Sequence, residues 1–181
     1  MSALLNSLLA LLTLCYPLAV YFGIQYFQPR WLALSLALVL ILRLLKLKLA
    51  CFRWIILISL FYLLLAFWSN QIISLRFYPV IVNLAMLLGF SYSLLYPPSL
   101  IERLARLTQP QLPSKAIGYT RRVTQVWCGF FCLNGSLALY SALYSSFEIW
   151  TLYNGCLAYV LMGLLFAGEY LYRRRIQAKE P

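Results

Sequence analysis

The sequence predicts an all-α integral membrane protein, and two features of its composition carry that prediction. Hydrophobic residues make up 64% of the 181 residues, and charged residues only 10%. A soluble domain is usually about half apolar and about a quarter charged, so this chain has too little polar surface to cover itself in water. We therefore expect a single polytopic membrane domain over residues 1–181.

Six apolar segments predict about six transmembrane helices. Several are shorter than the roughly 20 residues of a perpendicular span, so we expect flanking Trp, Tyr and Arg to extend them into the interface. The predicted ranges are 3–24, 31–45, 54–69, 79–96, 123–145 and 150–172. The first segment lacks a basic stretch before it and exceeds the apolar core of a secretion signal, which favours a retained helix, kinked at Pro17.

Basic residues fall in every second connection between these segments. Of the 15 Lys and Arg residues, only Arg30 and Arg76 lie in the other connections. Because cytoplasmic loops of membrane proteins are enriched in Lys and Arg, we expect both termini and the 98–122 loop in the cytoplasm. The same enrichment explains the net charge of +11. The chain has no base-reading motif, so we expect no nucleic-acid partner.

Residue types that carry most enzyme chemistry are scarce. The chain has no His and no Asp, and its four acidic residues are Glu102, Glu148, Glu169 and Glu180. These glutamates form no pair suited to two-carboxylate chemistry, and no His is present to activate a serine. Cys128 and Cys132 share a helix face but lack further metal ligands, so we interpret them as small apolar residues. We expect no enzyme activity, no catalytic residue, no cofactor and no metal.

The connection after the fourth segment, PPSLIERLARLTQPQLPSK over 97–115, interrupts the apolar pattern. Its leucines predict a short cytoplasmic amphipathic helix over about 99–107, with the apolar stripe Leu100, Ile101, Leu104 and Leu107. Glu102 and Arg106 form an i, i+4 pair on the other face. We expect this helix to lie on membrane lipid with Arg103 and Arg106 toward anionic headgroups. A connector that rests on the membrane is the favoured role, and a partner-docking surface and a substrate-handling segment are the alternatives.

Two further polar residues are candidates for a functional role. Asn134 falls near the middle of the fifth segment, where an amide needs a hydrogen-bonding neighbour, so we expect it to face the bundle. Interhelical packing is the favoured role, and a substrate contact is the alternative. Glu169 lies one helical turn before Arg173. This spacing favours an i, i+4 ion pair, and a proton-linked carboxylate is the alternative.

Several short motifs, in order and spacing, resemble those of one family of bacterial inner-membrane proteins. They are Pro17 followed by Tyr21 and Phe22, proline before LIERL, Leu112-Pro113, WCGFF at 127–131, Gly135, Tyr140, Trp150 and YLYR at 170–173. The chain resembles the intracellular septation protein A (YciB) family, or a divergent sister group of it. It departs from the family pattern at Pro97-Pro98, where Lys-Pro is usual, and at Ala138, where an Asn is usual.

The resemblance implies a non-enzymatic protein of the bacterial inner membrane that serves the cell envelope. Septation, envelope maintenance and assistance to lipid or glycan assembly are the roles it suggests, with other envelope or lipid-assembly membrane proteins as partners. It supplies no catalytic residue. A small transporter or carrier of a lipid-like or acyl intermediate is the alternative function, and a membrane-embedded transferase is disfavoured because the chain has neither His nor Asp.

Overall fold

A computed structural model describes residues 13, 15–46 and 50–177 of the chain. This part of the protein is all-α, as predicted, and contains no strand. The helices are α1 (Tyr16–Gly23), α2 (Pro29–Lys46), α3 (Ala50–Ser69), α4 (Ile72–Leu95), α5 (Leu100–Ala105), α6 (Ser114–Tyr144), α7 (Phe147–Leu152) and α8 (Ala158–Gln177). A π-helical turn, Tyr153–Leu157, joins α7 to α8. Half of the segment predicted over 3–24 lies outside the described residues, as do Lys48 and Lys179.

Three helices are long and apolar enough to cross a membrane. They are α4, α6 and the continuous helix Phe147–Arg175, and a shorter apolar helix covers Arg53–Ser69. Length and composition within the described residues therefore identify fewer spans than the six that the sequence predicts. The finding is compatible with a membrane protein, since each of the three helices exceeds the roughly 20 residues that a transmembrane span needs.

Hydrogen bonds between helix ends show that the long helices run antiparallel. The Arg30 N–H at the start of α2 donates to Asn70 Oδ1 after α3, at 3.1 Å. Arg76 near the start of α4 donates to the Ser145 carbonyl after α6, at 2.6 Å. Tyr119 near the start of α6 donates to Glu169 near the end of α8, at 2.7 Å. We call the end that holds α5, Tyr119 and Glu169 the basic end, and the end that holds Arg30 and Arg76 the opposite end.

Helix α4 begins seven residues before the predicted start at Pro79, and the prolyl residue lies inside it. A proline within a helix leaves the carbonyl four residues earlier without its intrahelical partner. Here the Tyr16 hydroxyl of α1 donates to that carbonyl, on Leu75, at 2.9 Å. The predicted start was wrong because a distant side chain supplies the bond that the proline removes.

Helix α6 also begins earlier than predicted, at Ser114 instead of residue 123. Its 31 residues correspond to about 46 Å, which exceeds the roughly 30 Å hydrocarbon core of a bilayer. The predicted start followed the apolar stretch alone. The additional residues include Lys115, Arg121 and Arg122, so this first part of α6 is too polar for a hydrophobicity pattern to detect.

Two apolar clusters form the core. The larger, toward the opposite end, brings together buried residues of α1, α2, α3, α4, α6 and α7, including the fully buried Trp150. The smaller, at the basic end, consists of Phe90, Leu100, Trp127 and Phe131. Gly135 permits the close approach of α6 to α4, because a Cβ atom there would lie 3.1 Å from the Asn83 Cβ.

Candidate functional site

The apolar stripe of the short helix α5 packs into the protein. Leu100 is 1% exposed and joins Phe90, Trp127 and Phe131, with Ile101 and Leu104 partly buried against the same cluster. Leu107, in contrast, lies beyond the end of α5 and is 65% exposed. The helix predicted over about 99–107 is therefore present as Leu100–Ala105, and most of its apolar stripe packs against protein. Contact of this helix with membrane lipid stays a prediction. The aromatic rings of α4 and α6 offer the stripe an apolar surface that the local sequence did not reveal.

Two hydroxyl groups fasten the first turn of α5 to the central helices. The Leu100 N–H donates to Ser93 Oγ of α4 at 2.9 Å, and the Ile101 N–H approaches Thr124 Oγ1 of α6 at 3.4 Å. The first N–H groups of a helix have no partner within the helix, so these side chains satisfy donors that would otherwise be unpaired. Helix α5 is consequently anchored to both α4 and α6.

The predicted pair of Glu102 and Arg106 forms, but its carboxylate is buried. Arg106 donates from both Nε and NH2 to Glu102 Oε1, at 3.0 and 2.7 Å. We expected this pair on the outer face of the helix, whereas Glu102 is 5% exposed. Because α5 packs with its first turn inside the protein, the carboxylate two residues after Leu100 is also enclosed. The Arg106 guanidinium satisfies the charge that this burial would leave unpaired.

Arg103 and Arg106 also hold the loops on either side of α5. Arg103 donates from Nε to the Pro98 carbonyl at 2.8 Å and from NH2 to the Tyr96 carbonyl at 3.3 Å. Arg106 donates from NH1 to the Pro110 carbonyl at 3.2 Å. Both guanidinium groups were predicted to face anionic lipid. In the structure they bind protein oxygens, which makes them structural elements of the basic end. Their contact with lipid stays a prediction.

Glu169 lies where α8 ends beside the start of α6. Its Oε1 atom accepts the Tyr119 hydroxyl at 2.7 Å and lies 3.7 Å from Arg173 Nε. The predicted i, i+4 pair is therefore present, but the shorter contact is to Tyr119. The rings of Tyr119 and Tyr172 also stack, with centroids 6.2 Å apart. Tyr119 is 50 residues away in sequence, and no local pattern identifies it as a partner.

Asn134 lies in the middle of the bundle at the centre of a small polar cluster. Its Nδ2 donates to Asn83 Oδ1 of α4 at 3.0 Å, and its Oδ1 accepts the Tyr153 hydroxyl at 2.8 Å. Asn83 in turn donates to the Pro79 carbonyl at 2.8 Å. The bundle-facing orientation expected for Asn134 is observed. Asn83 was not among the predicted candidates, although an amide inside an apolar segment was a signal that could have identified it.

The π-helical turn brings two adjacent residues onto α6. Tyr153 bonds to Asn134, and Asn154 Nδ2 donates to Ser141 Oγ at 3.1 Å. Neighbouring residues of a regular α-helix point in different directions and do not normally share one partner helix. A π-helical turn contains an extra residue and often occurs at functional positions. Here it gives α6 two polar contacts from one helical turn.

Arg76 fastens the end of α6 at the opposite end of the bundle. Its NH2 donates to the Ser141 and Ser145 carbonyls, both at 2.6 Å, where the last carbonyls of a helix lack intrahelical partners. A cation at this position also interacts favourably with the helix dipole. The Trp150 indole N–H donates to the Arg76 carbonyl at 3.0 Å. From the sequence, Arg76 counted only as a loop charge.

The five predicted candidate residues do not form one site. Glu102 and Arg103 lie on α5, Arg106 follows its last residue, and Glu169 lies on α8 at the same end. Asn134 is 15 residues beyond Tyr119 on α6, which corresponds to about 22 Å along the helix. The molecule therefore has two polar regions. One is the basic end, and the other is the amide cluster of Asn83, Asn134 and Tyr153.

Neither region resembles a metal centre. Among the described residues, no group of three or more Cys and Glu side chains could hold a metal ion. Cys15, Cys128, Cys132 and Cys156 are free thiols. An open surface depression at the basic end is lined by Thr108, Gln109, Pro110, Gln111 and Pro113. It lacks charged side chains, so it offers little to fix a ligand.

Comparison of the chain with protein-family models, curated proteins and solved structures gives no match. The resemblance to the septation protein A family thus stays a prediction that rests on the short motifs quoted above.

Proposed function

We propose that the protein is a non-enzymatic, six-helix protein of the bacterial inner membrane with both termini in the cytoplasm. Its role would be to support cell-envelope assembly or septation through contacts with other envelope or lipid-assembly membrane proteins. The contrast between the two polar regions carries the proposal. The polar side chains of the amide cluster form hydrogen bonds with one another, whereas the basic end has guanidinium groups that bind none of the described protein atoms.

The positions of exposed aromatic residues support a membrane-embedded bundle. Trp and Tyr side chains are enriched where a membrane protein crosses the two lipid–water interfaces. Exposed residues of this kind at the opposite end are Tyr26, Trp31, Trp68, Tyr140 and Tyr144. Those at the basic end are Trp54, Tyr92, Tyr96, Tyr170 and Tyr172. Because α2 and α3 carry such residues, the pattern supports more crossings than helix length and hydropathy alone identify.

Trp54 and Trp68 give a measure of the spacing between these two layers. They lie 14 residues apart on α3, which corresponds to about 21 Å along the helix. Interfacial aromatic rings lie at the headgroup level, and the flanking residues of α3 can extend its span. Because the spacing is shorter than the roughly 30 Å hydrocarbon core of a typical bilayer, it suits a bilayer that is thin or becomes thinner around the protein. The concentration of basic residues at the basic end supports a cytoplasmic location for that end.

Guanidinium groups that have no hydrogen-bonding partner among the described residues support the proposal of partner contacts at the basic end. Within the described part of the chain, Arg121, Arg122 and Arg175 are exposed and have no hydrogen bond or ion pair. Arg76, Arg103 and Arg106 differ from them, because their guanidinium groups bind protein oxygens. Charged groups that do not stabilise the fold are available for recognition.

A charge-reversal experiment tests the proposal. In a strain that lacks the gene, we expect Arg121→Glu/Arg122→Glu to insert normally but to fail to restore envelope integrity or septation. Arg30→Glu, at the opposite end, is the matched control and should complement. Normal complementation by the double variant would overturn the assignment of function to this surface. Purified protein in liposomes should move no lipid or acyl cargo by itself.

The topology in this proposal has a separate test. On a background without native Cys, Ser114→Cys should react with a thiol reagent only after the cytoplasmic side is opened. Labelling of intact cells at this position, from the periplasm, would show that the orientation is wrong. Extraction of the protein by alkaline carbonate would show that it does not span the membrane at all.

A carrier of a lipid-like or acyl intermediate is the second candidate, and the amide cluster favours it. Two interruptions of regular helix, Pro79 in α4 and the π-helical turn before α8, meet at Asn83, Asn134 and Tyr153. Interrupted helices often mark the substrate sites of transporters near the middle of the membrane. Movement of a fluorescent acyl lipid across liposomes by the purified protein, abolished by Asn134→Leu, would establish the carrier.

A further inference from the structure

Five arginines lie within a few residues of the contact between the start of α6 and the end of α8. Arg121 and Arg122 follow Tyr119 on α6, and Arg173, Arg174 and Arg175 follow Glu169 on α8. The hydrogen bond from Tyr119 to Glu169, at 2.7 Å, holds the two helices together at this level. Stacking of the Tyr119 and Tyr172 rings adds a second contact. We refer to these five residues as the arginine collar.

The collar carries a large excess of positive charge. Glu169 is the one acidic residue in contact with it among the described residues, and its Oε1 atom already accepts the Tyr119 hydroxyl. The distance from that oxygen to Arg173 Nε is 3.7 Å, which is long for a charge-assisted hydrogen bond. A single carboxylate shared in this way leaves about four of the five guanidinium charges unbalanced. An anion is therefore the ligand that the collar suits.

The surroundings of the collar indicate what kind of anion it binds. The Arg173 and Arg174 guanidinium groups lie 5.9 and 5.7 Å from the centre of the half-exposed Tyr170 ring. Such cation–π contacts hold guanidinium groups at a ring that itself prefers the membrane interface. On the other side of Tyr170, toward the start of α8, lie exposed apolar side chains that include Leu164 and Phe166. A cationic layer, an aromatic layer and an apolar layer thus succeed one another along the helix.

This order matches the parts of a phospholipid, which are an anionic phosphate, a glycerol region and acyl chains. We propose that the arginine collar binds the headgroup phosphate of an anionic phospholipid, with the acyl chains along the apolar surface of α8. The proposal rests on the membrane location proposed above. The sequence suggested Arg103 and Arg106 as the residues that contact lipid. We propose the collar residues in their place, because, within the described residues, their guanidinium groups do not donate hydrogen bonds to loop carbonyls.

Native mass spectrometry of the detergent-purified protein tests the proposal. The probes are phosphatidylglycerol and phosphatidylcholine, and the readout is the ratio of the two lipids retained. We expect the wild type to prefer phosphatidylglycerol. Because each basic residue near an anionic surface contributes about fivefold to lipid binding, Arg121→Gln/Arg122→Gln/Arg174→Gln should lower the preference on the order of a hundredfold. An unchanged preference in this variant would overturn the proposal.

Three controls establish whether the lipid preference comes from the charges of the collar. The corresponding Lys variant keeps these charges, so it should retain most of the preference and show that the Gln variant is not merely misfolded. Arg30→Gln, at the opposite end, should leave the preference unchanged. Inorganic phosphate should not displace the lipid, since it has no acyl chains, and its displacement of lipid at similar concentration would instead identify free phosphate as the ligand.

The failure of this proposal is distinguishable from the failure of the proposed function. If the protein resists carbonate extraction but shows no collar-dependent lipid preference, the membrane assignment stands and the lipid site is wrong. If carbonate extracts the protein, the membrane assignment fails first. Loss of lipid preference together with normal complementation would show that the collar binds lipid but is not needed for the envelope role.

Discussion

The middle of the bundle and the basic end use the same kinds of polar residue in opposite ways. At the middle, Asn83, Asn134 and Tyr153 come from three different parts of the chain and satisfy one another. At the basic end, Arg103 binds nearby loop carbonyls, whereas Arg121 has no partner within the described residues. A buried polar group must find a partner in the protein, and an interfacial charge need not. We therefore interpret the first region as interhelical packing and propose recognition as the role of the second.

The largest effect should follow from removing the buried tryptophan near the opposite end. Trp150 is fully buried and donates to the Arg76 carbonyl, so Trp150→Ala should lower the free energy of unfolding by about 3–5 kcal/mol. Trp68→Ala is the control, since Trp68 is 83% exposed. Denaturation of the purified protein in mixed micelles measures both. Equal losses in the two variants would show that the core is not where we place it.

The two leucines at either end of the α5 segment test whether α5 belongs to the bundle. Leu100→Ser should destabilise the protein by about 1.5–3 kcal/mol, the range for a fully buried Leu side chain. Leu107→Ser should change stability little, because that side chain is mostly exposed. The same denaturation experiment compares them. Similar small effects would favour a helix that rests on lipid instead of one that packs into the protein.

Asn134→Leu tests the amide cluster. We expect a loss of about 0.6–2 kcal/mol, the range measured for hydrogen bonds between membrane helices. Ser136→Leu is the control on the same helix, since Ser136 is exposed and its hydroxyl bonds only to the Cys132 carbonyl of α6. If Asn134→Leu folds with normal stability and still abolishes function, the residue belongs to a binding site and the packing interpretation is wrong.

Tyr119→Phe should have the smallest effect of the four. It removes one hydroxyl, whose hydrogen bond to Glu169 should contribute about 0.5–1.5 kcal/mol, and it keeps the ring that stacks on Tyr172. Tyr172→Phe keeps the same stack and serves as the control. Denaturation in mixed micelles measures both variants. Equal losses in the two would show that the Tyr119 hydroxyl does not hold α8 against α6.

Local pattern was sufficient to predict much of the fold. The predicted ranges 31–45 and 54–69 lie inside α2 and α3, because long apolar stretches with few helix breakers form helices wherever they are buried. The pattern failed where polar residues continue a helix, as at Lys115 and Arg121 in α6. It also failed at Pro79, where the fourth helix was predicted to start and Tyr16 instead compensates for the missing bond inside α4.

The site residues divide in the same way. Asn134 and Glu169 were identifiable because an amide or a carboxylate in an apolar segment requires a partner. Their partners were not identifiable, since Asn83 and Tyr119 lie 51 and 50 residues away. The i, i+4 spacing predicted the pair of Glu102 and Arg106, but not that its carboxylate would be buried.

The sequence by itself determined that the protein is helical and apolar, which residues are basic, and where each apolar segment lies. These properties depend on residue type and on spacings of a few positions. Tertiary structure decided which of the arginines are used by the fold. Arg76 and Arg103 find carbonyl oxygens, and within the described residues Arg121 and Arg122 do not, because helix packing alone determines which acceptors come within hydrogen-bonding distance. A guanidinium group has the same charge in either situation, so its sequence position could not distinguish a structural arginine from one available to a lipid or a partner.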